Sequence, residues 1–269
     1  MCRSPKRRKA LTLIELLIAT SIMAVMAGVL GGLALSVQMQ SRHSQGHGEA
    51  VQHARVILDR MQRAMNESTT SESFPGFFVV STTVGTYSLP EDVVVWRPTG
   101  VVANPTGLPR WCEVVIFGPD PVAPNRLLEI TIPTDTRTVP ALTNLTSWRN
   151  EVAAFKTSAS STKVELTTLM RTANLASSGA PNLHAAIRFD IQQRPDDIQW
   201  AEYKAGTRTW DSLDWVQSIY GTKTGLRQSW CRIEVQLQPG SDADVDQTSS
   251  QITLTFFGSA AVYQKMYHD

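Results

Sequence analysis

Residues 16–41 of this 269-residue chain contain no charged side chain. The run is built mainly of Leu, Ile, Ala, Val and Met. A helix rises about 1.5 Å per residue, so ~20 residues already cross the hydrocarbon layer of a bilayer. The segment before it has the opposite character. Residues 1–10 read Met-Cys-Arg-Ser-Pro-Lys-Arg-Arg-Lys-Ala, with five basic residues and no acidic one. Basic residues flanking an apolar span stay on the cytoplasmic side. The pattern therefore predicts one membrane-spanning helix with its N-terminus in the cytoplasm and the rest of the chain outside.

A cleaved secretory signal also starts with basic residues, but its apolar part is only about 7–15 residues long and ends at an A-x-A-like site. This run is longer, and no such site precedes Gln38. A buried core helix would not explain the charge asymmetry of the flanks.

Glu15 lies where a carboxylate is expensive. An ionised group inside a bilayer costs several kcal/mol, so it normally has a partner and a purpose. Its setting is specific: a basic leader, small Ala10, then Leu11-Thr12-Leu13-Ile14-Glu15-Leu16-Leu17. This resembles the cleavage and methylation motif of the type IV prepilins and pseudopilins. The resemblance implies a cut between Ala10 and Leu11 by a membrane-embedded prepilin peptidase, and N-methylation of the new Leu11 amine. It also implies that Glu15 is the carboxylate that aligns the subunit during filament assembly. A buried carboxylate needs a cation, and the terminal amine of a neighbouring subunit can supply one. The family usually has Gly before the cut and Phe after it, where this chain has Ala10 and Leu11. Ala is small enough for a site built for Gly, so cleavage is expected.

Gly28 and Gly32 have small-xxx-small spacing, which lets membrane helices approach closely. Chance is the competing reading, because Gly is common in membrane helices. Ser41–Gly48 is polar and holds two glycines, so the helix is expected to loosen there. Val51, Ala54, Leu58, Met61 and Met65 then fall on one helical face. Asp59 and Arg63, four apart, are placed to pair. The stretch Ile57–Ala64 resembles the equivalent region of the J-type minor pseudopilins of type II secretion. Residues 11–70 thus read as a transmembrane and then amphipathic helix, after a leader at 1–10.

Beyond Ser71 the period changes to two, with turn residues between the runs. Candidate strands are Phe77–Thr83, Val93–Arg97, Trp111–Phe117, Leu127–Ile132, Val164–Met170, Ala185–Ile191, Cys231–Leu237 and Gln251–Phe257. Two helical patches are expected, at Leu142–Phe155 and Trp210–Tyr220. The fold class is α+β: a long N-terminal helix packed on an antiparallel β-sheet domain, residues 71–269.

Trp111-Cys112 and Trp230-Cys231 open similar apolar runs. If these are neighbouring strands, Cys112 and Cys231 face each other in a compartment that permits a disulfide, and loss of Cys2 with the leader leaves an even pair. Two separately buried thiols are the other reading. Asp242, Asp244 and Asp246 alternate, a donor set suited to calcium. An EF-hand loop would have Gly at 247 and Glu at 253, where this chain has Gln247 and Thr253, so a solvated acidic turn and no cofactor are expected. His43, His47 and His53 lack a convincing metal geometry, and His184 reads as an ordinary strand-edge residue. Of the seven tryptophans most belong to the core, and Asp211–Trp215 is the segment singled out for binding.

No hydrolase elbow, zincin, Walker A or C-x-x-C motif is present, and no enzymatic activity is expected. The formal charge is +1, from 25 basic and 24 acidic residues, which argues against a nucleic-acid partner. Removing the leader leaves 25 − 5 = 20 basic residues, so the mature chain sums to −4. The resemblance implies a minor pseudopilin at the tip of a type II secretion pseudopilus, in the bacterial inner membrane with its domain in the periplasm. Its partners would be other pseudopilins and the prepilin peptidase and methyltransferase. A minor type IV pilin and a membrane-anchored extracytoplasmic binding protein are the alternatives.

Overall fold

The computed structural model describes residues 12–176, 181–215, 225–238 and 253–267. Helix α1 spans Leu13–Asn66, and its helical assignment is unbroken through the glycines of Ser41–Gly48. By Cα proximity the chain forms two compact units, one up to Gly48 and one from Glu49. In the first unit the apolar side chains are exposed: Leu16, Ile22, Val29 and Leu35 are each more than half accessible. None of the most apolar 18-residue window is buried within the protein. A soluble core helix would bury those side chains, so that alternative fails.

In the second unit an apolar stripe on α1 supplies one wall of the main core. Ala50, Ala54, Ile57, Met61, Ala64 and Met65 are all buried. They meet a five-stranded antiparallel sheet ordered β1-β2-β3-β4-β5. Its strands are β1 (Phe77–Val84), β2 (Tyr87–Trp96), β3 (Val114–Pro119), β4 (Leu127–Thr131) and β5 (Thr162–Thr167). Arg60 of α1 forms an ion pair with Glu129 of β4, with Nη2 donating to Oε1 at 3.2 Å. The i, i+4 pair Asp59–Arg63 forms at 2.8 Å.

The other face of this sheet is covered by α2 (Leu145–Thr157), whose first turn is capped by Asn144 accepting from the Ser147 amide. Trp148, Val152 and Phe155 pack there against Val94, Trp96, Ile116 and Ile130. The sheet's centre, β3, β4 and the second half of β2, is therefore buried on both faces. That explains the continuous apolar run Val93-Val94-Val95-Trp96, which a half-exposed strand would not tolerate.

A second antiparallel sheet has the order β10-β9-β8. Strand β8 (Ile187–Arg194) is followed by the short helix α3 (Asp197–Lys204), then β9 (Leu226–Leu237) and β10 (Leu254–Lys265). Strand β9 alternates strictly, with Cys231, Ile233, Val235 and Leu237 buried in the α1-lined core. A two-stranded hairpin, β6 (Thr172–Asn174) and β7 (Leu183–Ala185), completes the described fold. β10 runs further than its apolar pattern suggests, through Gly258. There α1 comes so close that a Cβ would lie 2.9 Å from Leu58 Cδ2. Gln62 also donates from α1 to the Ser259 carbonyl at 2.9 Å.

The helix expected at Trp210–Tyr220 is not found in its described part. Trp210–Ser212 form one 3-10 turn and Leu213 continues extended. Trp210 and Trp215 pack at a tilt with centroids 4.5 Å apart, and the Trp215 indole donates to the Trp210 carbonyl. Those contacts fold the segment back on itself and are incompatible with a continuing helix. Strand β3 starts later than expected, because Trp111–Glu113 form a 3-10 turn.

Candidate functional site

The first described residue, Thr12, is the N-cap of α1. Its backbone amide donates to Glu15 Oε2 at 2.9 Å and its hydroxyl to the same oxygen at 3.0 Å. In return the Glu15 amide donates to Thr12 Oγ1 at 3.4 Å. This is a capping box: Thr-x-x-Glu satisfies two of the amides that a helix start leaves without partners. The spacing Thr12-Leu13-Ile14-Glu15 carries that signal in the sequence. The box supplies hydrogen bonds to the carboxylate but no cation. Ala10 and Leu11 lie outside the described residues. Among the described residues nothing comes within 4 Å of a Cβ placed at Gly28, Gly31 or Gly32.

The proposed Cys112–Cys231 bond is not present, and both thiols are free. The two similar runs are not neighbouring strands. Cys112 sits in the 3-10 turn before β3 of the first sheet, whereas Cys231 lies mid-β9 in the second, opposite Ile191 and Ala260. Burial pushes the Cys231 thiol up to about 12, which also starves it of thiolate, the form that exchanges disulfides. Asp242, Asp244 and Asp246 lie outside the described residues. Among the histidines of α1, His53 bonds Thr167 Oγ1 through Nδ1 at 2.9 Å.

Residues that sequence reasoning passed over converge in the globular unit. Glu91 and Asp92 are adjacent on β2, beside the register shift between β1 and β2, and are only 5% and 3% exposed. Lys156, in the last turn of α2, places Nζ 2.6 Å from Asp92 Oδ1, at angles that do not meet hydrogen-bond geometry. Both side chains are almost fully enclosed. Gly118, opposite Asp92 on β3, makes room: a Cβ there would lie 1.8 Å from the Asp92 carboxylate. Burial raises Asp92 to about 6, against the opposing pull of Lys156. His184 of β7 has Nδ1 3.5 Å from Glu91 Oε2, and among the described residues neither Glu91 Oε2 nor His184 Nε2 has a hydrogen-bond partner. All four side chains line one cavity of about 440 Å³. His184 is thus not the plain strand-edge residue its sequence suggested.

Among families, the prokaryotic N-terminal methylation motif matches residues 5–31. That match spans Ala10, Leu11, the capping box at Thr12 and Glu15, and Gly28. It gives the chain a type IV pilin-like N-terminus, ahead of the α+β domain. No curated protein and no solved structure matches the chain.

Proposed function

We propose, from this pilin-like N-terminus, that the chain is a minor pseudopilin assembling into the tip of a type II secretion pseudopilus. The observation that carries the reading is the methylation motif at residues 5–31 running directly into an apolar helix that the protein itself leaves uncovered. Such a helix needs lipid before assembly and neighbouring helices after it. Processing between Ala10 and Leu11 frees the Leu11 amine. Glu15 then offers its charge to the amine of a neighbouring subunit, and Gly28 and Gly32 let the helices approach. The chain would sit in the bacterial inner membrane, N-terminus inside and domain in the periplasm, contacting other minor pseudopilins. The role is structural, and the resemblance of Ile57–Ala64 to J-type subunits supports the particular assignment. The extent of the globular part, residues 71–269, also fits a minor type IV pilin, which shares processing and architecture.

N-terminal sequencing of the membrane-bound protein tests the reading. N-methylated Leu11, lost in cells without the prepilin peptidase, is the expected result. An intact Met1 start in both cells would overturn it in favour of an uncut membrane anchor. Glu15→Ala should insert in the membrane yet fail to enter filaments, and co-purification with the other minor subunits of a secretion system separates secretion from pilus assembly.

A further inference from the structure

Among the described residues the β6–β7 hairpin forms a sheet of its own, with no ladder to either larger sheet. A lone two-stranded hairpin is marginal by itself, so its ties to the rest of the unit decide how easily it opens. Its root is tied through the backbone. The Ala186 amide donates to the Arg171 carbonyl at 2.7 Å, the Arg171 amide to the Gln236 carbonyl at 2.9 Å, and the Gln236 amide to the Ala186 carbonyl at 3.0 Å. Ala185 joins the main core. One residue further from the root the tie to β2 is ionic. His184 Nδ1 faces Glu91 Oε2 at 3.5 Å, and both side chains are largely enclosed.

Histidine is the side chain whose ordinary charge change falls between about pH 5 and 8. This contact differs between the two charge states. A neutral imidazole carries one N–H. Placed on Nε2, it leaves the Nδ1 lone pair against the carboxylate; placed on Nδ1, it offers an uncharged donor. The imidazolium brings both an N–H and a positive charge to Oε2. Nε2 has no partner among the described residues, so the difference between the states rests on the Nδ1 side. The other charges around the pair are engaged elsewhere. On α2, Lys156 faces Asp92 at 2.6 Å and Arg149 donates to the Ser81 carbonyl at 2.8 Å. In the loop before β4, Asp120 accepts from the Val122 amide at 2.9 Å. Beside the root, Arg171 Nη1 donates to Gln236 Oε1 at 2.8 Å, and Arg188 and Glu234 lie opposite each other on β8 and β9. Enclosure also keeps salt from screening the pair.

We propose that the His184–Glu91 contact is a pH-sensitive latch between β7 and β2, closed when the imidazole is protonated and weakened when it is neutral. The closed state holds the extra proton, so local opening costs more at low pH and less as pH rises through the histidine range. Residues 182–185 form one wall of the 440 Å³ cavity, so loosening β7 admits water to Glu91, Asp92 and Lys156. The latch is independent of the assembly reading and would stand if that reading failed.

Hydrogen exchange of the full-length protein in detergent micelles tests it, read from pH 5 to pH 8 and corrected for the pH dependence of chemical exchange. Protection of the β7 amides should fall about tenfold or more across that range, the worth of one hydrogen bond to a charged group. The amides around Ile233 in β9, which report global unfolding, should not follow. His184→Gln and Glu91→Gln should each flatten the β7 profile. The double variant Asp92→Asn, Lys156→Met removes the neighbouring pair and should retain it. The wild type supplies a second measurement that needs no variant to fold: β7 protection should change over the same pH interval in which the His184 ring resonances titrate. The proposal is overturned by a flat β7 profile in the wild type, by one that β9 follows in step, by one that persists undiminished in folded His184→Gln, by its loss in the folded double variant, or by a pH interval different from that of the ring.

Discussion

Replacing Lys156 with Met removes the cation seated on Asp92 while keeping the helical stem. A buried charge stripped of its partner ordinarily costs about 3–5 kcal/mol. Here protonation caps the loss. Asp92 sits at about 6 in the folded protein, so at pH 7 the fold gains only about 1 kcal/mol by ionising it. Without Lys156 the carboxyl is pushed higher still and takes up a proton. The loss at pH 7 is then at most about 1 kcal/mol from this charge, reduced by relief of burying the lysine ammonium. The sign with pH follows. Asp92 is raised in the fold above its ordinary value of 3.8, so the folded state binds the extra proton. Its contribution to stability is fully present below pH 3.8 and falls as pH rises through the window to about 6. In the wild type that decline stops above about 6, whereas in Lys156→Met it continues. The deficit should be near zero at pH 5 and grow toward about 3 kcal/mol at pH 8. Denaturant unfolding of the detergent-solubilised protein at the three pH values, followed by the fluorescence of the buried Trp96, Trp111 and Trp148, reads it directly. The double variant Asp92→Asn, Lys156→Met should remove the pH-dependent difference. A deficit that stays constant from pH 5 to pH 8, or one already near 4 kcal/mol at pH 5, would refute the reasoning.

Three further outcomes follow from the packing. Gly118→Ala forces a methyl into the Asp92 carboxylate, at 1.8 Å, and against Lys156 Cε, at 3.3 Å, and should cost about 1–3 kcal/mol in unfolding measurements. Met61→Ala, at a fully buried position where α1 meets the main core, should cost about 2–5 kcal/mol, whereas the exposed Val56→Ala should change stability by less than about 0.5 kcal/mol. Intact mass should be the same with and without reductant, and alkylation of the native protein should label Cys112 before the buried Cys231.

The readable parts of the sequence were those whose periodicity is set locally. The charge-free run after the basic leader and the alternation of β9 each follow from a single element's surroundings; of the expected stripe Val51, Ala54, Leu58, Met61 and Met65, Val51 is exposed and Leu58 half-buried, because the buried face is centred on Ala50, Ile57 and Ala64 instead. Short or mixed elements escaped. Helix α3 has only eight residues, and its start signal is Asp196, which accepts from the Gln199 amide after Pro195. The first half of β2 reads Tyr-Ser-Leu-Pro-Glu-Asp and looks like a turn, because its acids face partners that only the tertiary fold supplies. Nothing near Glu91 and Asp92 announces Lys156 or His184. The sheet order brings α2 and the β6–β7 hairpin to them. The cysteine expectation failed for the same reason: two similar runs suggested neighbours, but strand pairing assigned them to different sheets.

Helix α1 obeys two different solvent rules along its length. From Ala50 onward its apolar residues form one stripe, and Arg55, Asp59 and Arg63 occupy exposed positions. Before Ser41 it is apolar all round and exposed all round. A helix of the second kind is stable only in lipid or among other helices. At its start, the Thr12 amide and hydroxyl both donate to Glu15 Oε2. Those bonds hold the carboxylate at the helix N-terminus, where the dipole favours a negative charge, but they do not neutralise it. An ionised carboxylate held at the edge of a bilayer keeps its demand for a cation, and burial deeper in a helical bundle sharpens that demand. On the proposed reading, the amine released at Leu11 of the next subunit meets it. Thr12 would then matter beyond the cap: Thr12→Val, which keeps shape and loses the hydroxyl, should leave membrane insertion intact but let Glu15 wander, lowering incorporation into filaments less than Glu15→Ala does. Equal incorporation by Thr12→Val and the wild type would show that the cap does nothing to position the carboxylate.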